Sequence, residues 1–240
     1  MTLGMIKYHL LVLAREPLNI FFGFGLPFLQ LFIFSGTMDA ETRGEVMAGA
    51  LPIFITVASM VLCFTDSALS HGYTRQIKFL RRLRMTPVKP LQYIFTGIAS
   101  RVGVLLLFAA SFIAVSVIFF DLSITDINWA LFVGVLLLAF IMFYLIGMFV
   151  ANALKNAKGS QSLTYVVFFG LLAIGGIFFP IEVMPDVLQT VARVLPPAYA
   201  ITSLQSAWLG EGLFQGHYFI AMIASTLIFG ALSIKFFKYE

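Results

Sequence analysis

Residues 92–120 read QYIFTGIASRVGVLLLFAASFIAVSVIFF. Arg101 is the one charge in the run, and Val102 through Phe120 carry none. A helix needs about 20 apolar residues to cross the hydrocarbon core of a bilayer. The part of the run after Arg101 is long enough by itself, so the arginine is expected near a membrane interface. At the midplane it would cost about 2.5–3.5 kcal/mol on insertion scales. The same chemistry fills the chain, which is 60% hydrophobic and 11% charged over 240 residues. Soluble domains carry roughly 45–50% apolar and about 25% charged residues. One aqueous core cannot hide this much apolar surface, and a polytopic membrane protein is expected.

Six runs qualify as spans, at about 18–36, 46–65, 92–120, 129–150, 162–179 and 217–236. The first follows Pro17, which suits a helix start, and contains Pro27, which is expected to kink it. It is too long for a signal-peptide core and lacks a small-x-small cleavage site, so it counts as a span. No linker, low-complexity segment or repeat divides the chain, and residues 1–240 read as one membrane domain.

Basic residues in the loops set the orientation. Of the 15 Lys and Arg residues, Arg43 and Arg193 fall on one side and Arg101 in a span; 15 minus 3 leaves twelve on the other side. Asp39, Glu41, Glu45, Asp121, Asp126, Glu182, Asp186 and Glu211 share the side of Arg43. Both ends are therefore expected in the cytoplasm. This placement also accounts for the net charge of +4 without nucleic acid. Residues 1–15, MTLGMIKYHLLVLAR, are too short to span and fit a helix lying in the inner interface. A flexible end is the other reading.

Little in the chain points to chemistry. One cysteine, Cys63, excludes an internal disulfide. His9, His71 and His217 are far apart in sequence and suggest no shared metal site. No Gly-Lys pair exists, so the phosphate-cradling pattern G-x-x-x-x-G-K-[ST] is absent. Neither G-x-S-x-G nor H-E-x-x-H occurs, and an enzyme is not expected. Asp66, at the inner end of the second span, and Arg101 form a candidate ion pair. Thr56, Ser59, Ser111, Ser116, Tyr144, Tyr165, Ser225 and Thr226 lie in spans, where hydrogen bonding between helices is the expected use. Gly170, Gly175 and Gly176 are expected to permit close helix approach.

Two stretches stand out. Residues 65–90 read TDSALSHGYTRQIKFLRRLRMTPVKP and form the longest inner loop. Ile77, Phe79, Leu80 and Leu83 recur at helical spacing, predicting a short amphipathic helix, and Thr86-Pro87 ends it. Its basic face suits anionic lipid headgroups or a docked protein equally. Residues 175–201 read GGIFFPIEVMPDVLQTVARVLPPAYAI. Pro180 breaks the fifth span, and Pro185-Asp186 starts a helix. Val187, Leu188, Val191, Val194 and Leu195 share one of its faces. Pro196-Pro197 is expected to stop it, with a second short helix from Tyr199 to Trp208. Neither piece is long enough to span, and exposed broken backbone is not tolerated in hydrocarbon. An outer re-entrant hairpin is expected, either capping a pathway or packing the bundle.

These two stretches resemble motif regions of the ABC-2 family of ABC-transporter permeases. The first matches the amphipathic cytoplasmic helix followed by TPV and a span. The second is similar to the family's G-x-x-F/Y-P…MP…L-P region before the last span. The resemblance implies an ATP-driven exporter whose permease pairs with a copy or close paralogue and with two ABC ATPase subunits. ATP and Mg would then sit on the ATPases, with no cofactor on this chain. It implies a multi-pass protein of a bacterial or archaeal inner membrane. It assigns ATPase coupling to Lys78, Phe79, Leu80, Arg81, Arg82, Leu83, Arg84, Thr86 and Pro87. It assigns the outer cap to Pro180, Glu182, Pro185, Asp186, Leu195, Pro196, Pro197 and Tyr199. The family often carries Gly and acidic residues about eight positions before TPV. Lys78 stands there in this chain, which implies a more acidic partner surface. The alternative is an ATP-independent channel or secondary transporter, which predicts buried charges or broken helices at the midplane.

Overall fold

The computed structural model describes residues 2–14, 21, 25–36, 43–85, 89–120, 122, 124, 127–154, 157–177, 181–210 and 216–237. Every regular element among them is helical. In chain order these are α1 (Thr2–Ala14), α2 (Leu26–Gly36) and α3 (Arg43–Ser59), then a π-helical turn, Met60–Thr65. They continue with α4 (Asp66–Gln76), α5 (Phe79–Arg84), α6 (Pro90–Phe120), α7 (Trp129–Ala153) and α8 (Ala157–Ile174). A 3₁₀ turn at Ile181–Val183 leads to α9 (Asp186–Val194), α10 (Pro196–Trp208) and α11 (Gly216–Lys235).

Four helices are long and apolar enough to cross a membrane: Val46–Gln76, Pro90–Phe120, Trp129–Ala153 and Gly216–Lys235. Two shorter apolar helices, Pro27–Gly36 and Gly159–Ile174, lie where the first and fifth spans were expected. Within the first expected span, residues 18–20 and 22–24 lie outside the described residues. Pro27 is the second residue of α2, which directly follows π-helical Gly25, and the turn before it, where the expected kink falls, lies mostly outside the described residues. The fifth begins five residues early, at Ala157, and ends at Ile174 instead of 179.

The largest departure follows the second span. The expected inner loop from residue 65 does not begin there. The helix runs on through the π-helical turn and α4 to Gln76. Residues 66–76 have no apolar period because they are buried by polar matching. Ser67 Oγ donates to the Tyr144 carbonyl at 3.1 Å. His71 Nε2 donates to Asn152 Oδ1 at 3.1 Å. The Thr74 and Tyr93 hydroxyls lie 3.3 Å apart. Gly147 of α7 gives the π-helical turn room, since a Cβ there would overlap Phe64 and Ser67.

The core is built around α7. Of its most apolar stretch 67% is buried, against 11% for α11 and 28% for α6. It packs on α11, α4, the π-helical turn, α10 and α8. Its buried face stacks Phe132, Phe140, Phe143 and Tyr144 into the centre. α6 leaves most of its length uncovered, with Leu107 67% and Ile118 72% exposed. An uncovered apolar helix of this length belongs against lipid or another protein. α1 lies along α6 and touches α4.

The hydroxyls in the apolar helices serve mainly their own helix. Thr56 bonds the Pro52 carbonyl, Ser59 Ile55, Ser111 Phe108, Ser116 Phe112 and Thr226 Met222. The expected bonds between helices are made instead by Ser67 and by Ser233, which donates to the Leu145 carbonyl at 2.9 Å. A hydroxyl three or four residues beyond a carbonyl has its acceptor in reach without a neighbour. Gly170 meets no neighbouring atom within 4 Å, so it makes no close approach among the described residues. Gly175 does: a Cβ there would lie 2.8 Å from Pro197.

Candidate functional site

Two ends of the bundle hold the residues of interest. At one end, α4 stops at Gln76 and Lys78 turns the chain with φ 57°, uncommon for a residue with a Cβ. α5 follows at once. It buries Leu80 and Leu83 and leaves Arg81 and Arg82 exposed. Two apolar contacts on one face of this short helix pin it to the bundle, with Arg81 and Arg82 outward. Phe79 is half-buried, and its ring stacks on Tyr8 with centroids 4.4 Å apart and planes at 9°. The side chain of Arg84, and all of Thr86 and Pro87, lie outside the described residues.

The segment leading into α5 is tied to α7. Arg75 Nη1 donates to the carbonyls of Ala151 at 2.8 Å and Leu154 at 3.2 Å. They belong to the last turn of α7 and to its C-cap, Leu154; such carbonyls lack partners within the helix, and a guanidinium suits that negative end. Asn152 locks the same turn, donating to the Met148 carbonyl at 2.7 Å while accepting from His71. α1 closes the group. His9 is buried, with ring centroids 5.7 Å from Tyr8 and 5.0 Å from Tyr93. Burial, then the charge of Arg101 and the nearby His71, push its pKa down to about 3, so it is neutral. Burial also raises the Tyr8 phenol above its ordinary value. His9 and His71 both flank Tyr93, although 62 positions separate them in sequence (71 minus 9). Among the described residues no three His, Cys, Asp or Glu side chains gather to hold a metal ion.

Asp66 and Arg101 meet. Arg101 Nε donates to Asp66 Oδ2 with both side chains buried. The guanidinium is enclosed by protein rather than open to water, with only 3% of the side chain exposed. Its Nη1 donates to the Gly97 carbonyl at 3.1 Å, and its charge lies 5.6 Å from the Tyr144 ring centre. Gly97 is required, because a Cβ would sit 2.9 Å from Tyr144 Cζ. Asp66 is the first residue after the π-helical turn. The pair thus joins the second helix to α6 beside the close approach of Gly147.

The other end carries the helical hairpin. Gly176, with φ 80°, breaks the chain after α8; a side chain there would be strained and would meet Ile181. Pro180 lies outside the described residues. Glu182 sits in the 3₁₀ turn, and its side chain is not described. Pro185 precedes α9 and Asp186 fills its first turn, as the sequence predicts. Leu195 is extended. Pro196 and Pro197 then form the first turn of α10, which therefore starts three residues before Tyr199. Proline suits that place because its missing N–H would have no partner there anyway. Tyr199 ties the corner, its hydroxyl donating to the Val194 carbonyl at 2.6 Å. Burial, then the nearby Tyr218, raise the pKa of that phenol.

The two hairpin helices differ in burial. α9 is exposed along its apolar face, with Val187 76% and Val194 67% exposed, and buries only Ala192. α10 buries Ile201, Leu204 and Trp208. Trp208 lies edge-on to Phe132 and Trp129 at the start of α7, at 5.2 and 6.1 Å. Gln205 Nε2 donates to the Gly49 carbonyl of α3 at 3.0 Å.

Several residues in this arrangement carried no sequence signal. Tyr8, His9, Arg75 and Asn152 gain meaning only from partners more than 60 positions away. Arg75 and His71, four apart and both on α4, become neighbours only once 66–76 is read as helix.

A family model described as ABC-2 type transporter matches residues 2–209. That match includes α1, α5, the Asp66–Arg101 pair and both hairpin helices. Comparison with curated proteins finds no match.

Proposed function

The chain belongs to the ABC-2 type transporter family, and from that premise we propose that it is the permease subunit of an ATP-driven ABC exporter. It is a multi-pass membrane transport component, and ABC-2 permeases work with ABC ATPase subunits. In the proposed complex two separate ATPases bind ATP and Mg, and a second permease copy or paralogue completes the pathway. α5 faces the cytoplasm as the ATPase-docking helix, and the α9–α10 hairpin caps the outer end. α2 and α8 complete six spans with the four longer helices.

The placement of α5 carries the coupling assignment. It presents Arg81 and Arg82 from a helix that Leu80 and Leu83 hold against the core. A flexible basic loop would bind lipid headgroups as well. A helix braced by the Tyr8–Phe79 stack and by the Arg75 clamp can transmit a push. ATP-driven closure of the ATPases would load α5 and favour one of two permease states by differential contact. The load would pass through Arg75 to α7 and along α4 to the Asp66–Arg101 pair.

Co-purification from membranes tests the reading. Arg81→Glu with Arg82→Glu reverses two charges on the exposed face and is expected to cut recovery of the ATPase by about ten-fold or more, equivalent to about 1.4 kcal/mol. Leu80→Ala, which loosens the helix, should weaken association and also lower thermal stability. Unchanged ATPase recovery with both variants would overturn the docking role.

A further inference from the structure

A cavity of about 650 Å³ lies where α2, α3, the end of α8 and α10 converge. Its volume falls within the roughly 300–1,000 Å³ of small-molecule sites. None of the described residues lining it is charged. Ile53 and Ile201 stand among its apolar lining, and Gln30, Thr202 and Gln205 are its polar side chains.

The polar groups are informative. Gln30 Oε1 is buried and has no hydrogen-bond partner among the described residues. Leaving a buried amide oxygen unpaired costs about 1–3 kcal/mol, so its position calls for a donor. Gln205 spends its amide nitrogen on the Gly49 carbonyl, which leaves its oxygen as an acceptor. Two amide acceptors in an apolar chamber match a ligand that brings hydroxyl or amide N–H donors. A cationic head would also donate, but none of the described residues lining the chamber is a carboxylate that could compensate it. A charge buried without a partner is far more costly than a buried hydroxyl. An anionic head would meet the Gln30 amide N–H and the Thr202 hydroxyl, but no cation among the described lining residues would compensate its charge.

We propose that this cavity binds an uncharged amphiphile: an apolar tail against Ile53 and Ile201, and a hydroxyl- or amide-bearing head at Gln30 and Gln205. That this ligand is cargo rests on the exporter reading; that it binds does not. Two glycines hold the wall. Gly175 admits Pro197, and Gly176 turns the chain toward Ile181, so the chamber is formed by the same break that starts the hairpin.

Photolabelling tests the site without any ATPase. The purified full chain in phosphatidylcholine nanodiscs is exposed to 1-oleoylglycerol carrying a diazirine in its tail, and labelled residues are located by mass spectrometry. Labelling is expected to concentrate in residues 30–34, 50–54 and 198–205. Excess unlabelled 1-oleoylglycerol should suppress it about ten-fold, whereas oleate and oleylamine, with the same tail and charged heads, should not. Thr202→Trp narrows the chamber beside Gln205 and is expected to lower labelling by a similar factor. Gln30→Leu keeps the volume and removes the acceptor, and should reduce it less. Equal competition by all three heads would overturn the proposal, as would labelling spread evenly to the uncovered α6 residues Leu107 and Ile118. The competition uses the unaltered chain, so a variant that fails to fold does not decide it. Loss of cavity labelling would leave ATPase association through α5 untouched. Loss of that association would leave the cavity result standing.

Discussion

Asp66 and Arg101 show how a charged pair is kept inside an apolar bundle. Each side chain is all but fully buried, and the arginine is further satisfied by the Gly97 carbonyl. Removing one partner leaves an uncompensated charge, which typically costs about 3–5 kcal/mol, whereas replacing both with apolar residues of similar volume is often neutral. Asp66→Leu and Arg101→Met alone are each expected to destabilise by about that amount. The double variant should recover most of the loss. Thermal unfolding in detergent, followed through Trp129 and Trp208, measures the cycle. Losses that simply add would mean that the two side chains are not coupled. If the pair also carries coupling, the stable double variant should still lose transport-linked ATP hydrolysis. Arg101 and Asp66 were legible as candidates because ionisable residues in spans are rare. Their enclosure was not, since the Tyr144 ring that faces the arginine is supplied by α7.

At the scale of elements, helix ends were harder to read than helix existence. The run at 92–120 needed no partner to be recognised. Residues 66–76 did, because Ser67, His71, Thr74 and Arg75 look like loop chemistry until α6 and α7 supply Tyr93, Tyr144, Ala151 and Asn152. Pro196-Pro197 shows the same ambiguity. A proline disfavours helix in the residue before it and suits the first turn of the next, so one dipeptide both ends α9 and opens α10. α1 offers a test at this scale. His9 faces Tyr8 on its own helix, Tyr93 and Arg101 on α6 and His71 on α4. Its pKa is about 3 when docked and the ordinary 6.5 when α1 is free. A free α1 therefore takes up a proton below about pH 6.5, and the docked one does not until about pH 3. Docking is fully favoured above pH 6.5 and weakens as pH falls. By pH 5 the loss is 1.5 pH units at 1.36 kcal/mol each, about 2 kcal/mol. The protection factors of residues 4–11, taken relative to the intrinsic exchange rate at each pH, should fall by about 30-fold between pH 7 and pH 5. His9→Phe should flatten that dependence, and an unchanged pH response in that variant would exclude His9 as its source.

For the whole molecule, the distribution of charge and the hairpin make one argument. Arg81 and Arg82 stand at the α5 end, while the hairpin presents Asp186 in the first turn of α9. Positive residues are retained on the cytoplasmic side during insertion, so the proposed topology has α5 inside and the hairpin, with its single Arg193, outside. Length allows six crossings only with difficulty. At about 1.5 Å per residue the 11 residues described in α2 rise about 17 Å and the 18 of α8 about 27 Å, against a hydrocarbon core of about 30 Å. The Gly175–Gly176 break then lies near the outer surface, and α10 closes the gap by packing on α3, α7 and α11. The sole cysteine, Cys63, is fully buried and should stay silent to thiol reagents. Asp186→Cys on exposed α9 and Arg82→Cys on exposed α5 can therefore be read separately. A membrane-impermeant maleimide applied to intact cells is expected to label the first and not the second, and permeabilisation should then expose both. If α8 does not cross, the hairpin shares the side of α5, and both cysteines would react only after permeabilisation. That outcome would remove the outer cap from the proposed mechanism and leave the docking of α5 to be judged on its own test.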